Sequence, residues 1–238
     1  MNTVRSILAR AVVCFLFCAL AAQSGLAQQL DLPSVIQGID ASVKARIDHV
    51  AAYNVTEHYA VFRASDAEPS AEITVKTAYQ KDHGKNFTIL SESGSTIMRH
   101  ELHNILDDEK HMSQPGVRDT VLINSANYTM AFKIDTPQQV DGRDCLVLQL
   151  TPKRNDPSLF RGTLWVDARD YSIVQLEGVA SKSRSFLMSP SQVSRQYSIV
   201  NGYPMATHAK GTSSVAMLGQ ITIKIDYTGY QMDFVPSN

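Results

Sequence analysis

His100-Glu101-Leu102-His103, followed by His111, is the grouping in this chain that most suggests metal chemistry. A zinc-hydrolase helix needs two histidines four apart, so that both rings reach one ion, with a glutamate between them as general base. Here the spacing is three. Histidines so placed still share a helix face, but the motif is broken. The preferred reading is the solvated face of a helix whose other side carries Leu102, Ile105 and Leu106. No metal is assigned, and a role for His100, His103 and His111 is left open. Asp107-Asp108-Glu109, near Glu101, lacks the glycine and the regular ligand spacing of a calcium loop.

Nucleophilic chemistry finds no better support. There is no G-x-S-x-G elbow, and Ser93-Gly94-Ser95 reads as a turn. Cys145 lies in a predicted strand beside the Asp141-Gly142 turn, where a cysteine is ordinarily an inert small hydrophobe. Glycine-rich phosphate loops are absent. The chain is therefore read as a non-enzyme with no catalytic residue and no cofactor.

The elements that would position any site begin after an export signal. Arg5 and Arg10 precede the apolar run Ala11 to Ala22, and Gly25-Leu26-Ala27 offers the small residues that a signal peptidase reads. The run is too short for a permanent span. Residues 1–27 are thus expected to leave as a signal peptide, with residues 28–238 forming a single domain, soluble in the periplasm. Cys14 and Cys18 would leave with the signal, so Cys145 has no disulfide partner. Removing the two arginines from 22 basic residues leaves 20 against 23 acids, which argues against nucleic acid as a partner.

From Asp31 to about Ala52, the residues Leu32, Ile36, Ile39, Val43, Ile47 and Val50 form one apolar stripe at helical spacing. From Tyr53 the period falls to two. Tyr53, Val55, Tyr59 and Val61 share a face, as do Ile73, Val75, Thr77 and Tyr79, and a shorter run follows over Asn86–Leu90. Ile97 to Met112 returns to helical spacing, with a weaker helical signal over Asp119–Ser125. Strands then continue to the end, punctuated by Asp141-Gly142, Ala168-Arg169-Asp170 and Asn201-Gly202. At least eight strands with two helical clusters predict a mainly β (α+β) fold, a large antiparallel sheet covered on one face by helices. Its inner face would carry Tyr59, Val75, Tyr79, Met98, Leu102, Met130, Phe132, Leu148, Leu164, Leu176, Ile223 and Ile225. A filled core and a ligand cavity call for the same residues there.

The order of elements, together with particular segments, resembles the LolA/LolB-like superfamily, in particular its outer membrane lipoprotein-sorting members. The segments are Asn127-Tyr128 opening a strand, Val140-Asp141-Gly142-Arg143-Asp144-Cys145, Leu150-Thr151-Pro152-Lys153-Arg154 and Gly162-Thr163-Leu164-Trp165-Val166-Asp167. They continue with Asp170-Tyr171-Ser172-Ile173-Val174, Glu177-Gly178 and the strand from Gly219 to Tyr230. The resemblance implies a curved sheet forming an incomplete β-barrel, closed on its concave face by helices, whose apolar interior accepts acyl chains. It further implies a periplasmic carrier whose partner is a lipid acyl chain or a lipoprotein, with the Met98–Leu106 helix as a lid. A second reading is an envelope interaction module with a filled core and a protein partner. An enzyme built on the histidine cluster is the least favoured of the three.

Overall fold

Ten strands form a single antiparallel sheet that does not close on itself. The computed structural model describes residues 31–64, 66–183 and 188–236. The predicted signal peptide, residues 1–27, lies outside the described residues.

In chain order the elements are α1 (Leu32–His49), β1 (Val50–Arg63), β2 (Ala71–Gln80), β3 (Gly84–Gly94), α2 (Thr96–Met112) and α3 (Val117–Val121). There follow β4 (Tyr128–Val140), β5 (Arg143–Pro152), β6 (Phe160–Asp167), β7 (Ile173–Ala180), β8 (Gln192–Val200), β9 (Tyr203–Val215) and β10 (Gly219–Phe234). The spatial order is β3-β2-β1-β10-β9-β8-β7-β6-β5-β4. Two meanders therefore meet where β1 pairs with β10, and the chain must travel from one edge strand, β3, to the other, β4. Laid flat at about 4.8 Å per strand, those edges would be roughly 43 Å apart. The helices α2 and α3 make that journey, which is why they lie over the sheet rather than beyond it.

Side-chain alternation carries one continuous inner face across the strands. Tyr59 pairs with Ile73 on β2 and with Ile225 on β10, Ile225 with Ala209 on β9, Ala209 with Arg195 on β8, and Arg195 with Leu176 on β7. The row continues from Leu176 to Leu164 and on to Leu148 and Phe132. Register shifts in five of the nine strand pairings interrupt the ladders, and such bulges let a wide sheet bend around its covering helices.

Two apolar clusters form on this face. In one, Met98, Leu102 and Leu106 of α2 pack on Tyr59, Ile73 and Val75. In the other, Val35, Ile39 and Val43 of α1 pack on Leu148, Leu150 and Leu164. Each helix contributes residues at i, i+4 and i+8, the single stripe expected of a helix lying on a sheet.

The differences from the sequence reading have physical causes. Val50 fits the helical stripe, yet α1 ends at His49 because Val50 pairs with Phe234 in the ladder. Strand β3 runs to Gly94 rather than Leu90. It is an edge strand exposed from Ile89 onward, so its outer half has no apolar alternation to read. The Asp119–Ser125 helix is displaced to Val117–Val121, since Leu122 is already extended (ψ 145°). No helix among the described residues is long and apolar enough to cross a membrane.

Candidate functional site

Strand β8 has no buried residue although it lies in the middle of the sheet. Its inward side chains, Val193 and Arg195, face a cavity of about 700 Å³ that separates the two apolar clusters. A volume of that size lies within the roughly 300–1,000 Å³ typical of small-molecule sites. The floor comes from Leu176, Val193, Gly211, Ile221, Ile223 and Ile225. Met98 and Ile105 of α2 cover it from one side and Val43 of α1 from the other. The helices stand apart because each is seated on its own cluster. The middle strands receive no helix.

A buried charged cluster marks one end. Lys85, in register with Tyr79 on the inner face, places its Nζ 2.6 Å from Glu109 Oε2 and 3.3 Å from Glu57 Oε1. Glu57 is fully buried and accepts a 2.5 Å hydrogen bond from the Tyr59 hydroxyl. Burial alone would raise the Glu109 pKa, but the neighbouring Lys85 and Arg195 charges outweigh it and hold the carboxyl below its usual value. Lys85 is held well above the usual lysine value: burial acts against its charge, and the carboxylates of Glu109 and Glu57 more than offset this. Tyr59 and Tyr227 are pushed upward, first by burial and then by these carboxylates, so both phenols stay neutral. Arg195 of β8 also lines the cavity and is exposed to it; the surrounding protein opposes its charge, yet Tyr197, Tyr227 and Glu109 raise its pKa. Away from this end, Val193, Gly211 and Ile223 form an apolar row, beyond which the Ser191 and Ser213 hydroxyls satisfy each other at 2.6 Å.

Of the inner-face residues read from sequence, Met98, Leu176, Ile223 and Ile225 line the cavity. Tyr59, Val75, Tyr79 and Leu102 lie in the cluster under α2. Met130, Phe132, Leu148 and Leu164 lie in or against the cluster under α1. The histidines do not gather. His103 Nε2 sits 3.0 Å from Glu92 on β3, His100 and His111 are exposed, and no three ligating side chains converge among the described residues. Cys145 is fully buried and its thiol is pushed up to about 11 by burial, which keeps it protonated at neutral pH.

Sequence reasoning missed the charged cluster. A signal was present: Glu57 falls on the same alternation as Tyr53, Val55, Tyr59 and Val61. An acid in phase with an apolar face requires a buried partner. Arg195 carried a fainter form of the same signal, in phase with Val193, Tyr197 and Ile199 on a strand otherwise rich in polar residues.

No family profile matches the chain, and no curated protein matches it. It is similar to the crystal structure of a LolA superfamily protein from Nitrosomonas europaea, at 12% identity and a TM-score of 0.46, over 87% of this chain and 96% of that one. It is also similar to a structure described as an outer membrane lipoprotein-sorting protein domain, from Vibrio parahaemolyticus. The identity is 12% and the TM-score 0.46, over 82% of this chain and 91% of that one.

Proposed function

We propose that the protein is a non-enzymatic periplasmic carrier that holds an acyl chain, free or attached to a lipidated protein, in the cavity between its sheet and helices. The observation that carries this reading is the unfilled middle of the inner face, where β7 to β10 present apolar side chains to empty space rather than to a helix. Each methylene moved from water into such a space contributes roughly 0.8 kcal/mol. Met98, Leu176, Ile223 and Ile225 would touch the chain, while Tyr59, Val75, Tyr79, Leu102, Met130, Phe132, Leu148 and Leu164 form the packed walls that keep the space from collapsing. Helix α2 acts as the lid.

Native mass spectrometry of protein taken gently from its own envelope is the test. The expected result is a bound lipid removable by organic extraction, with the stripped protein then taking up a fluorescent acyl probe. Protein that is lipid-free as isolated and fails to bind the probe overturns the proposal.

A further inference from the structure

We infer that the cavity selects amphiphiles with an anionic head, and that Arg195 is the residue that receives the head. This rests on the carrier reading above and deepens it by naming the class of ligand.

The cavity is itself amphiphilic. Along the sheet, the register sets Arg195 beside Ala209 and Leu176, with Tyr227 and Glu57 one step further in the polar direction. In the opposite direction Val193, Gly211 and Ile223 follow. Helix α2 adds Met98 and Ile105 as apolar cover, with Glu101 and Asn104 between them on the lining and Glu109 at the charged end. A ligand that is apolar throughout would leave the polar end unmatched, whereas one with a head and a tail matches both ends.

The sign of the head follows from how the charges are paired. Glu109 and Glu57 both engage Lys85, and Glu57 also accepts the Tyr59 hydroxyl. Arg195 lines the cavity, and among the described residues no carboxylate lies within 4.0 Å of it. Tyr197 is a hydrogen-bond neighbour of it. A guanidinium offers five N–H donors, more than one phenol oxygen can satisfy. Arg46 of α1 also lines the cavity and makes no ion pair with a described residue. Five cations line the cavity (Arg46, Lys85, Arg118, Arg195 and Lys210) against the carboxylates of Glu101 and Glu109, with Glu57 behind Lys85, while the tyrosines stay neutral. The planar fork of Arg195 suits the paired oxygens of a carboxylate or a phosphate.

The experiment compares palmitate, palmitoyl lysophosphatidate and methyl palmitate on the delipidated full chain, by displacement of a fluorescent acyl probe. The wild-type protein should prefer the acids to the ester by about tenfold, the worth of one charge-assisted bond to a guanidinium. Arg195→Gln should remove most of that preference while leaving ester binding within about threefold, and Arg195→Lys should keep part of it. The better of the two acids identifies carboxylate or phosphate as the natural head. Equal binding of acid and ester by the wild type overturns the inference and leaves the carrier reading intact, and that comparison needs no variant to fold. An unchanged acid-to-ester ratio in a folded Arg195→Gln protein overturns the role of Arg195. Failure of all three probes to bind overturns the carrier reading itself.

Discussion

Lys85 and Glu109 meet at 2.6 Å, and through that contact the edge strand β3 holds the last turn of α2, the helix that covers it. The backbone reinforces the same junction, since the Lys85 amide donates to Ser113 Oγ at 2.7 Å just past the helix end. Removing Glu109 leaves the largely buried Lys85 with Glu57 alone, at 3.3 Å, so the cost is about 1–2 kcal/mol, less than for a fully orphaned charge. Glu109→Gln should therefore lower the unfolding free energy by about that amount at neutral pH, as read from urea denaturation. The pH dependence has a definite sign. Because the folded carboxyl titrates below the ordinary glutamate value, its contribution is complete above that ordinary value and is lost as the pH falls through the lower folded one. Wild type and variant should thus converge in acid. A variant as stable as wild type at neutral pH would show that the contact does not fasten the helix.

The β6–β7 pairing is fixed by two glycines in register, Gly162 and Gly178. A Cβ on Gly162 would overlap the carbonyl oxygen of Glu177 and the Cα of Gly178, and both obstacles are backbone. A Cβ on Gly178 would come within 2.6 Å of the Arg161 carbonyl oxygen. Gly162→Ala must therefore part the strands in the middle of the cluster under α1. A loss of about 2–3 kcal/mol is expected, the upper part of the overpacking range, with the thermal midpoint as the measurement. An unchanged midpoint would mean the two strands do not approach this closely.

Cys145 is enclosed at the β5 start, with its thiol raised to about 11 by burial. At pH 8 it should not react with a thiol-specific disulfide reagent in the native protein, and should react with one equivalent after unfolding. Since the deprotonated form is the reactive one, any native labelling would track opening of the sheet. Fast labelling without unfolding would contradict the enclosed position.

How far the sequence reveals this molecule depends on which side chains must do two things at once. The inner faces of β1, β2 and β5 were legible because Tyr59, Ile73 and Leu148 pack against helices and so keep strict alternation. The two hairpin turns were legible because Asp141-Gly142 and Asn201-Gly202 all take positive φ, which few other residue pairs tolerate. Strand β8 was nearly silent. Its inward positions face open space, so Arg195 is as acceptable there as leucine, and the alternation of Val193, Tyr197 and Ile199 is broken where the cavity lies. The same fact explains why most of the apolar residues picked out by alternation ended up in packed walls. Alternation finds what is filled, and a cavity is the part that is not.

Gly211 offers the most direct separation of a cavity from a core. It sits on β9 between Val193 and Ile223, facing inward, and a Cβ built there meets nothing within 4 Å. Its φ is not in the left-handed region, so a larger residue suffers no backbone strain. Gly211→Leu should leave stability unchanged or raise it by about 0.5–1 kcal/mol, since glycine in a strand interior carries an entropic cost. The leucine side chain would at the same time occupy the space next to Arg195 that an acyl chain needs, and uptake of an acyl probe should fall at least tenfold. Melting temperature and probe binding measured on the same preparation decide the matter. A variant that is stable and still binds would place the ligand elsewhere, and a variant that is strongly destabilised would mean that the interior beside Gly211 is already full.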